Sequence, residues 1–186
     1  MRLAAEPGQL SLNTEHTFLP AMSALTDTVS VPARQLVRRL TELGWTLALA
    51  ESCTGGLVAA RVTSVPGASA VFHGGVIAYH NDVKRDVLHV PAAMLESAGA
   101  VSTETALAMA QDARRLLHAT LAAAITGIAG PGGGTDAKPV GLVFIAVAGP
   151  RGERVERFLF AGDRDAIRSQ AADAALHMLL EQVPPE

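Results

Sequence analysis

Residues 46–58 read TLALAESCTGGLV, and three structural signals follow one another in this stretch. The apolar run at 46–50 has the length of a short buried strand. The polar and glycine-rich residues 51–56 indicate a turn, and residues 57–62 have the pattern of a helix that begins there. Strand, turn and helix in this order are the unit from which α/β sheets are built.

The rest of the chain repeats this alternation of strands and helices. Further apolar runs predict strands at 75–79, 121–126, 142–148 and 155–160, and helical spacing predicts helices at about 32–43, 103–118 and 164–181. We therefore predict an α/β fold in which helices cover the sheet. The turn at 149–152 is too short for a crossover helix, so the last two strands should form an antiparallel hairpin within a mixed sheet.

The length of the chain favours one domain. Its 186 residues can bury one substantial core but are too few for two ordinary domains. Residues 1–30 lack sustained periodicity and contain Pro7, Gly8 and Pro20. We predict that they are a disordered N-terminal extension or a misassigned start, and that they do no chemistry. The predicted domain covers residues 31–184.

Composition excludes several classes of function. The net charge is −3 and the arginines are spread along the chain, so we predict no nucleic-acid partner. Cys53 is the only cysteine, so we predict no intramolecular disulfide. The six histidines of the chain have no shared metal-ligand spacing, so we predict no metal. No apolar stretch is long enough for a membrane span, and the polar start of the chain lacks the apolar region of a signal peptide. We expect a cytoplasmic protein without a membrane partner.

Polar segments that directly follow strands are where open α/β sheets bind ligands. Three occur here: ESCTGG at 51–56, YHNDVK at 79–84 and TGIAGPGGGT at 126–135. In the first, amides at the start of the next helix could hold a carboxylate, a phosphate or a developing oxyanion. The third is rich in glycine but matches neither a Walker A loop nor a dinucleotide fingerprint, so phosphotransfer and dinucleotide redox chemistry lose support.

The first two segments together offer a nucleophile and a base. A nucleophilic Ser52 needs a base, yet the Gly-x-Ser-x-Gly elbow of Ser-His-Asp hydrolases is absent. Lys84 and Lys138 are the only lysines beside thirteen arginines, and a desolvated lysine can lose its proton near neutral pH, whereas arginine cannot. We therefore predict that Lys84 is the base for Ser52. Cys53, alone among apolar neighbours, is more often a buried filler than a nucleophile.

Structural roles compete with these assignments. Ser52 and Thr54 could do no more than cap the following helix, and Lys84 could be a solvated helix residue. Arg164 and Arg168, which follow an aspartate at a helix start, could be solvated or could bind a substrate phosphate. The residues alone leave these alternatives open.

Six stretches resemble, in the same order, motifs of the CinA C-terminal domain family, also called nicotinamide-nucleotide amidohydrolase. They are AESCTGG (50–56), GGVIAYHNDVK (74–84), GAVSTETA (99–106), TGIAGPGGG (126–134), KPVG (138–141) and GDRDAIRSQA (162–171). The resemblance implies a three-layer α/β/α domain with a mixed, mostly parallel sheet of about five strands. It also implies that nicotinamide mononucleotide is hydrolysed to nicotinate mononucleotide and ammonia in pyridine nucleotide salvage, with no cofactor and no metal.

The resemblance carries the family's proposed catalytic serine and lysine onto Ser52 and Lys84, with Tyr79 beside them. In the mechanism we expect, Lys84 takes the proton of Ser52, Ser52 attacks the carboxamide carbon, and water hydrolyses the acyl-enzyme. Tyr79 would relay or orient the proton, unless it only closes a strand against the core. The predicted oxyanion and substrate-binding residues are Thr54, Gly55, Gly56, Thr126, Gly127, Gly130, Arg164 and Arg168.

The rival hypothesis is a non-catalytic module that senses nucleotides or docks a partner in competence or DNA-damage responses. A titratable amine beside a serine argues against it, because a docking module needs no such pair. Hydrolysis of another nucleotide or amide also remains open. The expected partner is a small-molecule nucleotide, and the sequence is compatible with a homodimer.

Overall fold

The computed structural model describes residues 29–185. In this range the helices are α1 (Val31–Leu43), α2 (Leu57–Thr63), α3 (Asn81–Asp86), α4 (Ala92–Ser97), α5 (Thr103–Leu116) and α6 (Arg164–Gln182), with a 3-10 turn at Ala68–Ala70. The strands are β1 (Leu47–Glu51), β2 (Phe72–Ile77), β3 (Leu121–Gly127), β4 (Leu142–Gly149) and β5 (Gly152–Leu159). The predicted N-terminal extension lies outside the described residues apart from residues 29 and 30.

The strands form one sheet in the order β2-β1-β3-β4-β5. Strand β1 pairs in parallel with β2 and β3, whereas β4 pairs antiparallel with both β3 and β5. Only β4 runs against the direction of the other four, so the α/β class and the mixed, mostly parallel sheet are confirmed. Gly149 pairs with Gly152 at the end of the predicted hairpin.

The two faces of the central strands differ in side-chain size, and this difference produces three layers. One face carries large aliphatic residues that pack against α1, α2 and α6: Leu47, Leu49, Leu121, Ile125, Val143, Ile145 and Val147. The other face carries Ala48, Ala50, Ala122, Ala124, Ala146 and Ala148. Since side chains alternate between faces along a strand, this pattern lets α5 pack closely on the alanine side.

Some element boundaries differ from the prediction. Strand β2 begins and ends earlier than the predicted 75–79. Beyond its end, the carbonyl groups of Ala78 and Tyr79 accept hydrogen bonds from Lys84 Nζ. The helices α3 and α4 were not predicted, since six residues complete too few turns to give a periodic signal. Among residues 29–185 no helix is both long enough and apolar enough to cross a bilayer.

The topology brings the three polar segments together. Because β1, β2 and β3 are adjacent and parallel, their carboxyl ends lie at one edge of the sheet. Residues 51–56, 79–84 and 126–135 leave the sheet at this edge. The binding site predicted from the strand ends is therefore assembled by neighbouring strands.

Candidate active site

Ser52 and Lys84 meet directly beyond the sheet. Ser52 follows β1, and its amide donates to the carbonyl of Ile125, which extends the pairing with β3 by one residue. Lys84 lies on α3, and its Nζ is 3.1 Å from Ser52 Oγ. Both side chains are buried, with 1% of Lys84 and 8% of Ser52 exposed. The structure thus places the predicted nucleophile and base within hydrogen-bond distance.

The surroundings of Lys84 favour its neutral form. Its Nζ donates to the carbonyl oxygens of Ala78 at 2.7 Å and Tyr79 at 3.3 Å, and no carboxylate within residues 29–185 forms an ion pair with it. Burial therefore lowers the pKa of Lys84 below its ordinary value of 10.5, because the charged ammonium loses its hydration. A lysine in this condition can accept a proton from a hydroxyl group.

Glu51 holds the start of α2 from within the protein. This carboxylate is fully buried and accepts hydrogen bonds from the amides of Gly56, Val58 and Ala59, at 2.8 to 3.2 Å. Burying a carboxylate is costly unless such donors replace its water, and the positive end of a helix adds to the compensation. The N-terminus of α2 is thus occupied by the protein's own anion.

The turn after β1 engages most of the predicted oxyanion donors. The amide of Gly55 donates to the carbonyl of Ser52, and that of Gly56 to Glu51. Thr54 is fully buried, and its hydroxyl has no hydrogen-bond partner among the described residues. An oxyanion role for these residues stays a prediction, since in this conformation the two glycine amides already have acceptors.

Cys53 lies beside Ser52 but has the wrong protonation state for a nucleophile. Burial raises the pKa of its thiol to about 11, with a smaller contribution from the charge of Glu51. A thiol with such a pKa is almost entirely protonated at neutral pH, and the thiolate is the reactive form. Cys53 lines the pocket over Ser52, and its raised pKa argues against it as the attacking group.

A pocket of about 230 Å³ opens over Ser52 and Lys84. Its lining comprises Ser52, Cys53, Tyr79, Asn81, Lys84, Ala100, Val101, Thr126, Gly127, Ala129 and Arg164. Six of the predicted site residues are in this set: Ser52, Tyr79, Lys84, Thr126, Gly127 and Arg164. Thr54, Gly55, Gly56, Gly130 and Arg168 are outside it.

The two arginines predicted to bind phosphate have different positions. The guanidinium of Arg164 donates to the carbonyl of Gly130 at 2.8 Å and to Tyr79 Oη at 3.0 Å, so it links α6 to the end of β2 across the pocket. Arg168 donates instead to the carbonyl of Thr54 at 2.9 Å and to Asp165 at 3.3 Å. Arg164 lines the pocket, whereas Arg168 fixes the turn that carries Ser52.

Sequence reasoning missed several residues of the site. Asn81 occurs in the second polar segment, and its amide group is of a type that binds amides, but it was not selected. Glu51 directly precedes Ser52. A carboxylate ahead of a glycine-rich turn and a helix indicates that it can bind the amides at the helix N-terminus, and this pattern was present in the sequence. Ala100 and Val101 carry no chemical signal at all, because what they contribute is the shape of a wall.

Among residues 29–185 no three histidine, cysteine, aspartate or glutamate side chains lie close enough together to hold a metal ion. The predicted absence of a metal stays a prediction.

Similar sequences are found among proteins named competence-damage inducible or CinA-like. A putative competence-damage inducible protein of Desulforudis audaxviator (strain MP104C) is 52% identical over 149 residues, which are 80% of this chain and 36% of that protein. A CinA-like protein of Anaeromyxobacter sp. (strain Fw109-5) is 55% identical over 144 residues, which are 77% of this chain and 35% of that protein. The chain spans about a third of the length of these curated relatives.

Solved structures share the fold over nearly their whole length. The competence/damage inducible protein CihA from Agrobacterium tumefaciens has a TM-score of 0.79 at 41% identity, over 84% of this chain and 99% of that one. A CinA superfamily protein from Klebsiella pneumoniae has a TM-score of 0.78 at 36% identity, over 82% of this chain and 95% of that one. The profile of the CinA C-terminal domain matches residues 30–183. The chain belongs to the CinA C-terminal domain family.

Proposed function

We propose that this protein is an amidohydrolase that converts nicotinamide mononucleotide to nicotinate mononucleotide and ammonia. One observation carries the proposal: a buried lysine without an ion-pair partner among the described residues lies 3.1 Å from a serine hydroxyl in a pocket. A structural lysine gains little from such a place, because desolvation destabilises its charge. The resemblance of the motifs supplies the substrate, since the names of the relatives mention competence and damage but no reaction.

The first chemical step uses Lys84 as a general base. Neutral Lys84 Nζ accepts the proton of Ser52 while Ser52 Oγ attacks the carboxamide carbon, which gives a tetrahedral adduct with a negatively charged oxygen. The Lys84 ammonium then returns the proton to the leaving nitrogen, and ammonia departs from a nicotinoyl-serine ester. In the second half, Lys84 takes a proton from water as the water oxygen attacks the ester. The bond to Ser52 Oγ then breaks, Lys84 returns the proton to that oxygen, and nicotinate mononucleotide leaves.

The dimensions of the pocket suit one end of the substrate. Its volume of about 230 Å³ lies below the roughly 300–1,000 Å³ of sites that enclose a drug-sized ligand. It can therefore take the pyridine ring and carboxamide, while the ribose and phosphate extend towards the surface. The Asn81 side chain, which lines the pocket without a hydrogen bond to any described residue, is available for the substrate amide.

Arg164 is the candidate for the phosphate. Its side chain is exposed at the pocket. A guanidinium has five N–H donors, and two of these bind the carbonyl of Gly130 and the hydroxyl of Tyr79. The remaining donor capacity can bind a phosphate oxygen, and these two contacts hold the side chain in a fixed direction. Arg168 instead donates a hydrogen bond from α6 to the carbonyl of Thr54, in the turn after β1.

Ammonia release tests the proposal. Purified protein would be incubated with nicotinamide mononucleotide and a chelator, with Ser52→Ala and Lys84→Met as variants. We expect release by the wild type and a loss of roughly a thousandfold or more in each variant, because a nucleophile and its base act as a unit. Folded wild type that releases no ammonia would refute the proposal. Full activity of Ser52→Ala would refute the assignment of the nucleophile.

A further inference from the structure

We propose that Lys138 is a positioning residue, which fixes one wall of the pocket from behind and thereby sets how a substrate lies against Ser52. The wall is the connection between α4 and α5, residues 98–101, called the 98–101 wall below. The proposal that this wall orients a substrate rests on the proposed function, whereas the proposal that Lys138 holds the wall does not.

Side chains bind all four consecutive carbonyl groups of the 98–101 wall. Lys138 Nζ donates to the first and the last of them, Ala98 O at 2.7 Å and Val101 O at 2.8 Å. The carbonyl of Gly99 accepts from Ser102 Oγ at 3.0 Å and Thr105 Oγ1 at 2.8 Å, and that of Ala100 accepts from Thr126 Oγ1 at 2.7 Å. The donors come from the start of α5, from the end of β3 and from Lys138, which follows the glycine-rich segment 126–135.

In the 98–101 wall, side-chain hydrogen bonds take the place of the backbone hydrogen bonds of a sheet. The 98–101 wall belongs to none of the five strands, so side chains supply the hydrogen bonds that strand neighbours would otherwise provide. Ala100 and Val101 line the pocket with small side chains. The position of their backbone, more than the reach of their side chains, therefore determines the shape of the pocket.

Lys138 is suited to this position by its compact head group. An ammonium has three donors that can point to separate acceptors, whereas the planar guanidinium of arginine cannot bind both carbonyls in the same way. The backbone of Lys138 is itself held, since its amide donates to Thr135 Oγ1 and its carbonyl accepts from the Thr135 amide. Gly99 has a φ of +82°, and a Cβ there would lie 3.0 Å from Lys138 Nζ.

Lys138 does not line the pocket, and its hydrogen bonds go to the 98–101 wall and not to Ser52. Its loss should therefore loosen the wall and impair substrate positioning, but should leave the ionisation of Lys84 unchanged. A proton-transfer role would move the pH dependence of kcat/KM. A positioning role lowers kcat/KM and leaves that pH dependence in place.

The experiment combines hydrogen exchange with kinetics. The test variant is Lys138→Met, which keeps the stem and removes the donors. The control is Arg114→Met, since Arg114 Nε donates to the carbonyl of Thr120 at 3.0 Å, next to the amino end of β3 and away from the pocket. Exchange of peptides covering residues 98–102 is measured by mass spectrometry below the unfolding transition, together with ammonia release from nicotinamide mononucleotide.

In Lys138→Met we expect exchange in residues 98–102 to accelerate about tenfold or more, and kcat/KM to fall about tenfold, with an unshifted pH profile. Exchange in residues 98–102 equal to that of Arg114→Met would overturn the proposal that Lys138 holds the wall. Faster exchange with unchanged kcat/KM would overturn its effect on the substrate.

The two proposals fail in different ways. Wild type that releases no ammonia refutes the amidohydrolase function, and the exchange measurement still decides whether Lys138 holds the wall. Active wild type with unchanged exchange in Lys138→Met refutes only the positioning role.

Discussion

The Nζ atom of Lys84 lies 3.1 Å from Ser52 Oγ, and the carbonyl groups of Ala78 and Tyr79 hold it there. Two carbonyl acceptors fix the direction of the amine but bring no full negative charge. The amine is therefore oriented without being held in its protonated form by an ion pair. A base for a serine hydroxyl requires this combination.

The first prediction concerns the pH dependence of amide hydrolysis. Only the neutral amine can take the proton of Ser52, so kcat/KM should rise with pH through the Lys84 pKa and level off above it. Because burial lowers that pKa, the rise should lie below the ordinary lysine value of 10.5. Ammonia release across the stable pH range gives the profile. Lys84→Arg should be inactive at every pH, and a flat wild-type profile would contradict the assignment.

The second prediction concerns stability and pH. The folded state lowers the pKa of Lys84, so between the folded value and 10.5 the unfolded chain binds more protons than the folded one. The free energy of unfolding contributed by Lys84 must then increase with pH in that window. Urea unfolding of wild type and Lys84→Met at several pH values should show a difference that moves in favour of wild type as pH rises. A constant difference would mean that the folded pKa is not lowered.

The third prediction separates the two neighbouring nucleophile candidates. Burial raises the pKa of Cys53 to about 11, so its thiol stays protonated at neutral pH. Cys53→Ala should therefore keep kcat within about threefold of wild type and lose about 1 kcal/mol of stability for the small cavity. Steady-state rates and thermal unfolding measure both effects. A loss of activity as severe as that of Ser52→Ala would point to the thiol instead.

The fourth prediction concerns the buried carboxylate of Glu51. In Glu51→Gln one acceptor oxygen is replaced by an NH2 group, which faces amide donors and leaves at least one of them unpaired. We expect a loss of about 1–3 kcal/mol in the free energy of unfolding, the usual cost of a buried unsatisfied donor. Urea denaturation measures it. Glu42→Gln, on the exposed side of α1, is the matched control and should change stability by less than about 0.5 kcal/mol.

The fifth prediction distinguishes the two arginines of α6. Arg164→Met should raise KM for nicotinamide mononucleotide about tenfold or more and leave kcat/KM for the unphosphorylated nucleoside nearly unchanged. Arg168→Met should affect both substrates equally, because it loosens the Thr54 turn. Parallel kinetics with the two substrates make the comparison. Equal losses on both substrates in Arg164→Met would exclude a phosphate contact.

Sequence patterns predicted the features that depend on periodicity and on strand order. The strands β1, β3 and β4 agree with their predicted ranges to within one residue at either end, because the short length of these apolar runs and the polar turns that bound them favour strands over helices. The pairing of Ser52 with Lys84 was also accessible, since both follow strands and lysine is rare in this chain. Parallel pairing of β1 and β2 then brings them together.

Other parts of the site leave no trace in local sequence. Arg164 lines the pocket, whereas Arg168, one turn further along α6, donates to the carbonyl of Thr54. Only tertiary packing determines this difference. The hydrogen bonds of Lys138 to the 98–101 wall connect residues far apart in the chain. Every residue has a backbone carbonyl, so no sequence motif indicates which carbonyls accept the hydrogen bonds of Lys138.

Glu51 has a consequence for the timing of events in the site. As part of the chain it stays at the start of α2 at any protein concentration, whereas a bound anion would leave on dilution. The turn that carries Ser52 is therefore shaped when the protein folds, not when a substrate arrives. A ligand that enters the pocket meets a serine whose backbone is already in place, and binding energy need not be used to organise it.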